Sequence, residues 1–127
     1  MARTLFLVED ELLFAQRLRA AAGRLAVPVE ALTPTQARSR SWTRDEVVVL
    51  QATLRPEQQL ELIDHLKGRD AAPVVIAVTG HLETELRQRL KARGTILATH
   101  SGMDRVLART LGVSDARDDE RRHHPPS

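Results

Sequence analysis

The chain alternates short apolar runs with stretches in which apolar residues recur every three or four positions. A short apolar run predicts a strand covered on both faces, and the wider spacing predicts a helix that buries one face. The alternation therefore predicts five strand–helix pairs. The apolar runs predicted as strands are residues 5–8, 27–32, 47–50, 74–78 and 95–98.

Each predicted strand is followed by a segment with helical spacing or a helix-start signal. Pro34 and Pro56 suit the first turn of the second and third helices, because the proline ring fixes φ at a helical value. Glycines at 68, 94 and 112 mark the ends of the last three helices. The residues predicted to face inward are Phe14, Leu18, Ala21 or Ala22, Leu25, Leu60, Ile63, Leu66, Leu82, Leu86, Leu90, Met103, Val106, Leu107, and Thr110 or Leu111.

The periodic pattern stops at about Gly112. Residues 113–127 are dominated by Asp, Glu, Arg, His and Pro, so they bury too little apolar surface to offset the entropy of ordering. We therefore predict one domain over residues 1–112 and a disordered charged tail over residues 113–127.

Strands that alternate with helices pair in parallel through right-handed crossovers. This topology predicts an open α/β sandwich, with a central sheet and helices on both of its faces. In such sheets the functional crevice lies beyond the carboxyl ends of the strands. The residues that follow or end the apolar runs are Glu9, Asp10, Gln51, Thr79 and Ala98.

Composition narrows the class of protein. The chain has 127 residues, 42% of them hydrophobic and 28% charged, which fits one globular domain. It contains no cysteine, which excludes disulfides and thiolate metal sites, and it lacks the run of about 20 apolar residues that a bilayer span requires. We expect neither a signal peptide nor a membrane span, and a cytoplasmic location.

The charge balance does not demand a nucleic-acid partner. The 19 basic and 17 acidic side chains are interleaved and leave a net charge of only +2. The three aromatic residues, Phe6, Phe14 and Trp42, are too few to form a base-stacking platform.

Four segments of the chain carry a family resemblance. They are LFLVEDE at 5–11, VVVLQAT at 47–53, VVIAVTGH at 74–81 and GTILATH at 94–100. Together, over residues 3 to 112, they resemble the receiver domain of response regulators, the signalling proteins of bacterial two-component systems. The resemblance implies a flavodoxin-like three-layer sandwich, with a five-stranded parallel sheet in the order 2-1-3-4-5 and helices on both faces.

The resemblance also defines a pocket from which several family residues are missing. In the family, two acids after strand one hold Mg²⁺, an aspartate ending strand three accepts the phosphoryl group, a hydroxyl residue ends strand four, and a Lys-Pro pair ends strand five. Glu9 and Asp10 match the acids, and Thr79 matches the hydroxyl. The departures are Gln51 at the acceptor position, Ala98 and Thr99 at the Lys-Pro pair, and Thr95 at the usual switch aromatic.

These departures predict a pocket without phosphoryl chemistry. A glutamine amide is a poor nucleophile, and Ala98 has neither charge nor reach to contact a phosphoryl oxygen. With one carboxylate fewer, Glu9 and Asp10 should bind Mg²⁺ weakly at most, and we expect no other cofactor. We therefore predict a degenerate, stand-alone receiver that is not an enzyme and that acts by binding a protein in signal transduction.

Simpler structural roles remain open for the same residues. Asp10 is suitably placed to cap the first helix, and Thr79 to cap the turn before the fourth. Trp42 could anchor a partner or could plug the edge of the sheet. His81 and His100 both follow strands, but two histidines without a fixed spacing are a weak metal signal.

Two partner hypotheses from different classes follow. The resemblance implies a partner or dimer face on the fourth helix, fifth strand and fifth helix. The charged residues of that face here are Arg87, Arg93, Asp104, Arg105 and Arg109. The alternative is a small nucleic-acid-associated regulator whose phosphate contacts are Arg38, Arg40, Arg44 and the arginines of the fourth helix.

Overall fold

Strands and helices alternate along the chain, as the hydrophobic pattern predicts. The structure, a computed structural model, describes residues 3–113, and none of the helices in that range is long and apolar enough to cross a membrane. The strands are β1 (Leu5–Val8), β2 (Val29–Leu32), β3 (Val47–Gln51), β4 (Val74–Thr79) and β5 (Ile96–Thr99). The helices are α1 (Leu12–Arg24), α2 (Pro34–Ser39), α3 (Pro56–Lys67), α4 (Thr84–Ala92) and α5 (Met103–Leu111).

The five strands form one sheet in the order β2-β1-β3-β4-β5. Every neighbouring pair is parallel, because a helical crossover returns the chain to the same edge before the next strand begins. The order places β1, β3 and β4 side by side at the centre, so the loops after these three strands adjoin one another. The predicted flavodoxin-like fold, with strand order 2-1-3-4-5, is confirmed.

Both faces of the sheet are covered by helices. Successive side chains of a strand point to opposite faces. In β1, Leu5 and Leu7 pack in a cluster with residues of α1 and α5, whereas Phe6 and Val8 pack in a second cluster with residues of α2, α3 and α4. Burial on both sides explains why the central strands read as continuous apolar runs.

The start of α4 differs from the prediction. Leu82, Leu86 and Leu90 have the spacing of one helix face, but α4 begins only at Thr84. Leu82 lies in the preceding turn, which the N–H of Glu83 closes by donating to the carbonyl of residue 80, and 82% of its surface is exposed. Leu90 is fully buried, so the predicted inward face holds for the later leucines and is wrong for the first.

The strand bounds shift by one or two residues. Val27 is buried, but its N–H donates to the carbonyl of Ala22, so it belongs to the turn that ends α1 and β2 begins later. Thr95 also precedes its strand, since its hydroxyl donates to the carbonyl of Leu90 at 2.7 Å. At both positions a hydrogen bond back to the preceding helix delays the strand.

Trp42 is a core residue, so the interpretation of this side chain as an exposed partner anchor is wrong. Only 5% of its surface is exposed, and its indole N–H donates to the carbonyl of Ala37 at 2.9 Å. Its ring meets that of Phe6 edge-on at 5.2 Å, and the Arg40 guanidinium lies over both rings. The segment before β3 therefore plugs the α2 side of the sheet.

The last described turn closes the α1–α5 face. Gly112 has a φ of +69°, a left-handed value that glycine adopts without a Cβ clash. The N–H of Val113 then donates to the carbonyl of Ala108 at 3.0 Å, and its side chain packs against the α1–α5 cluster. The remainder of the predicted disordered tail, residues 114–127, lies outside the described residues.

Candidate functional site

The carboxyl ends of the strands bring three of the singled-out residues to one edge of the sheet. Val78 in β4 lies opposite Gln51 on one side and Ala98 on the other, so these residues are level across three strands. Thr79 is the next residue along β4 and lies opposite Thr99. Gln51, Ala98 and Thr79 therefore lie at the same edge of the sheet.

Gln51 is buried and faces two carboxylates. Only 3% of the residue is exposed. Its amide nitrogen donates to Glu11 Oε1 at 3.1 Å and to Asp10 Oδ2 at 3.4 Å. Ionised carboxylates only accept hydrogen bonds, so the amide must present its NH₂ group to them. Glu9 is exposed. The acids that converge on Gln51 are Asp10 and Glu11, whereas the resemblance pairs Asp10 with Glu9.

Arg55 completes this arrangement. Its guanidinium pairs with Asp10 Oδ1 from the loop before α3, and the Asp10 side chain is only 2% exposed. Both oxygens of Asp10 are thus engaged, one by Arg55 and one by Gln51. The predicted role of Asp10 as a helix cap is wrong, because the N-cap position of α1 belongs to Glu11, which makes no side-chain capping bond.

These residues do not fit a receiver-type magnesium site. A hard divalent cation takes about six oxygen ligands and prefers carboxylates. Here the third carboxylate is replaced by an amide that donates, and a guanidinium already neutralises Asp10. Within residues 3–113 no three His, Asp or Glu side chains are grouped so that they could hold a metal ion.

Thr79 is held by an arginine from α4. Its side chain is fully buried, and its hydroxyl oxygen accepts from Arg87 Nη1 at 2.8 Å. The predicted capping role for Thr79 is wrong, since α4 begins at Thr84, too far along the chain for this hydroxyl to cap it. Arg87 therefore ties the end of β4 to α4.

The end of β5 is satisfied by its own loop. Ala98 is buried at 3% exposure, and the hydroxyl oxygen of Thr99 accepts from the backbone N–H of residue 102 at 3.0 Å. Neither side chain offers a positive charge. The end of β5 is therefore neutral and contributes no cation to the edge.

The charged residues predicted as a partner face do not form one free cluster. Arg93 donates to Asp64 on α3 at 2.8 Å, and Asp104 pairs with Arg24 on α1 at 2.6 Å. Arg87 is engaged by Thr79 as described above. Only Arg105 and Arg109 of the five are exposed on α5.

The histidines after the strands do not meet the acids. His81 is exposed in the turn before α4, and His100 is partly buried with its ring edge-on to Phe14 at a centroid distance of 6.4 Å. His65 is also exposed, on α3.

Several solved structures similar to this chain are response regulators or receiver domains. A response regulator from Colwellia psychrerythraea matches with a TM-score of 0.68 at 18% identity, over 88% of this chain and 95% of that one. The receiver domain of the sensor histidine kinase PA1611 from Pseudomonas aeruginosa, which has a magnesium ion in its active-site cleft, matches with a TM-score of 0.67 at 15% identity, over 88% and 99%. The chemotaxis response regulator CheY4 of Vibrio cholerae matches with a TM-score of 0.65 at 14% identity, over 87% and 100%.

The likeness is one of architecture. No family model matches the chain, and a search of curated proteins finds no match to its sequence. At identities below 20%, the solved structures establish the fold. The chain has the fold of a response-regulator receiver domain.

Proposed function

We propose that this chain is a degenerate receiver that works as a protein-binding module in bacterial signal transduction, without phosphorylation and without Mg²⁺. The observation that carries the proposal is the buried network in which Gln51 and Arg55 both donate to Asp10. In a phosphorylatable receiver the corresponding acids are ligands for a metal ion. Here Arg55, a side chain of the chain itself, neutralises the charge of Asp10.

The network supplies no step of phosphoryl transfer. Attack on phosphorus needs an oxygen nucleophile, and the nitrogen of the Gln51 amide has its lone pair delocalised into the carbonyl. The developing phosphoryl charge also needs cations near the end of β5, where Ala98 stands. We therefore propose a non-enzymatic role, with binding energy as the only means of signalling.

A second feature favours a fixed conformation at the end of β4. Arg87 donates a hydrogen bond to the Thr79 hydroxyl, the group that the family resemblance places beside the phosphoryl group. Thr95 stands at the switch aromatic position and is bonded to the backbone of α4. If neither Thr79 nor Thr95 changes conformation in response to phosphate, the module binds its partner constitutively.

The nucleic-acid alternative finds less support in the geometry. Arg38 pairs with Glu61, and Arg40 pairs with Glu46 while it covers two aromatic rings. Arg44 Nη2 lies 3.4 Å from the carbonyl oxygen of residue 70. Arginines already bound within the chain are poor candidates for phosphate contacts, so we propose a protein partner. We also propose a cytoplasmic location, which is consistent with the absence of cysteine.

The proposal is tested by incubating the whole chain with acetyl phosphate and Mg²⁺ and measuring its intact mass. We expect no phosphoryl adduct, and amide NMR shifts near Asp10 and Gln51 that do not change when millimolar Mg²⁺ is added. A conventional receiver treated in parallel is the positive control. A labile phosphoryl adduct on the described domain would contradict the proposal.

A further inference from the structure

Exposed leucines occur where the chain leaves the carboxyl ends of three neighbouring strands. Among residues 3–113, five large apolar side chains are exposed, and four of them lie beyond the carboxyl ends of β1, β3 and β4. Leu12 is 73% and Leu13 52% exposed at the start of α1, Leu54 is 50% exposed before α3, and Leu82 is 82% exposed before α4. The fifth, Ile96, belongs to β5. Grouped apolar exposure is a typical mark of an interaction site.

Polar contacts join the loops that carry these leucines. Gln51 and Arg55 bind Asp10, which ties the loop after β3 to the loop after β1. The Thr53 hydroxyl donates to Glu83 at 3.2 Å, which ties the loop after β3 to the loop after β4. The three loops therefore form one continuous, internally bonded surface, which we call the strand-end platform.

The strand-end platform is acidic, although the chain as a whole carries a net charge of +2. Its loops carry four carboxylates and one guanidinium, which are Glu9, Asp10, Glu11, Glu83 and Arg55. A groove of about 360 Å³ runs beside Leu12, lined by Glu9, Asp10, Glu11, Ala15 and Arg19. Apolar and acidic groups side by side call for an occupant that is apolar and basic.

We propose that the strand-end platform docks an amphipathic helix of a partner protein, one with leucine-like side chains along one face and lysine or arginine beside them. This inference rests on the proposed function and adds to it the surface and the partner's chemistry. Apolar side chains of the helix cover the exposed leucines, and its basic side chains face Glu9 and Glu83. The basic groups accelerate and orient docking, and the apolar contact supplies most of the affinity.

The chain's own tail is a poor occupant of this surface. Residues 114–127 contain no Leu, Ile, Val, Met or aromatic residue, and their basic side chains are interleaved with Asp115, Asp118, Asp119 and Glu120. Such a segment offers almost no apolar area to cover four leucines. A separate protein that supplies both the apolar and the basic groups matches the platform better.

The test is an amide NMR titration of the whole chain with two synthetic helical peptides of about 18 residues. Both peptides share one leucine stripe, and they differ in carrying lysine or glutamate beside it. We expect the lysine peptide to shift amides in the loops after β1, β3 and β4, with an affinity at least about tenfold higher than that of the glutamate peptide.

Substitutions in the chain test where the lysine peptide binds. Leu12→Ser and Leu82→Ser should each weaken the lysine peptide several-fold without loss of fold, because both side chains are mostly exposed. Ile96→Ser, which removes the exposed apolar residue outside the platform, is the matched control and should change nothing. Glu9→Gln should weaken the lysine peptide alone, with an effect that diminishes as salt is added.

Several results would overturn this inference. In the titration, these are no binding of the lysine peptide, equal affinity for the two peptides, or amide shifts confined to α4 and β5. Self-association of the chain that Leu12→Ser abolishes would also overturn it, because the occupant of the platform would then be a second copy of the chain. Each leaves the proposed function standing if the acetyl phosphate experiment gives no adduct. An adduct, conversely, contradicts the proposed function whatever the peptides do.

Discussion

Two sets of arginine–carboxylate pairs in this protein have similar chemistry and different surroundings. At the strand ends, Arg55 pairs with Asp10, whose side chain is 2% exposed. Between α3 and α4, Arg89 pairs with Glu57 and Arg93 with Asp64, whose side chains are 74% and 58% exposed. The pairs differ mainly in how much water reaches the carboxylate.

That difference separates a pair with a buried carboxylate from pairs on the surface. An exposed carboxylate that loses its arginine is solvated by water, so such a pair contributes about 0 to 1 kcal/mol. A buried carboxylate that loses its partner keeps its desolvation cost. Arg55 therefore helps to hold Asp10 in place at the strand ends, whereas the α3–α4 pairs add little to the positioning of those helices. The following predictions test this contrast, beginning with the largest effect.

The most severe change is Gln51→Asp. It removes the amide that donates to Asp10 and Glu11 and buries a third negative charge beside them, so we expect the free energy of unfolding to fall by about 3 kcal/mol. Urea denaturation at neutral pH measures this. Gln58→Asp, on the exposed side of α3, is the matched control and should change stability by less than about 0.5 kcal/mol.

Adding Mg²⁺ to the same denaturation experiment tests whether Asp10, Gln51 and Arg55 share one site. Gln51→Asp supplies a third carboxylate for Mg²⁺, but Arg55 still pairs with Asp10. We expect Mg²⁺ to stabilise the double variant Gln51→Asp/Arg55→Ala more than the single variant, and not to stabilise the parent. Equal responses of all three proteins would mean that Asp10, Gln51 and Arg55 do not share one site.

Next in size is Arg55→Ala, for which we expect a loss of about 2 kcal/mol. Asp10 then keeps only its long bond from Gln51, and the loss is limited because the Arg55 side chain is itself 52% exposed. Thermal and urea denaturation measure the effect, and Arg105→Ala on exposed α5 serves as the control. A loss no larger than that of the control would show that the buried pair contributes nothing.

The exposed pairs should respond far less. Arg89→Ala and Arg93→Ala should each cost less than about 1 kcal/mol, and part of that loss should disappear in high salt. Urea denaturation in low and high salt is the measurement. If either variant lost as much stability as Arg55→Ala, burial would not be what distinguishes the two regions.

The smallest expected effect is a pKa change. The hydrogen bond from Arg89, together with its positive charge, holds the pKa of Glu57 below its ordinary value of 4.5. Because the folded-state pKa is the lower one, this pair favours the folded state above the unfolded-state pKa, and the contribution is lost as pH falls through the folded value. In Arg89→Ala we expect the Glu57 pKa to rise toward its ordinary value, while the nearby charge of Arg93 still lowers it. NMR titration of the Glu57 side-chain carbon checks this, and an unchanged pKa would contradict it.

The sequence predicted the fold because the fold depends on local apolar patterns. The run at residues 5–8 is the strand β1 to the residue, and the run at 47–50 lacks only Gln51 of β3. Leu82 shows the limit of this reasoning. Its spacing to Leu86 matches a helix face, but periodicity carries no information on the turn that delays the start of α4.

The strand-end positions were also predictable in part. Gln51, Thr79 and Ala98 were singled out because parallel strands end at one edge, and the structure places Gln51 and Ala98 level with Val78 and Thr79 one residue further along β4. Their partners were not predictable. Arg55 and Arg87 reach the site with long side chains from a loop and a helix, and no spacing in the sequence distinguishes them from other arginines.

The sequence by itself determined the order of strands and helices along the chain, the apolar interior, and the uncharged residues Gln51 and Ala98 near the ends of two strands, because each depends on residue type and local spacing. Only the tertiary structure decided that Glu11 rather than Glu9 lies beside Gln51, that Arg55 neutralises a buried Asp10, and that Trp42 is buried. These outcomes depend on which side chains meet across the fold and on how much water remains around them, and neither is encoded by position along the chain.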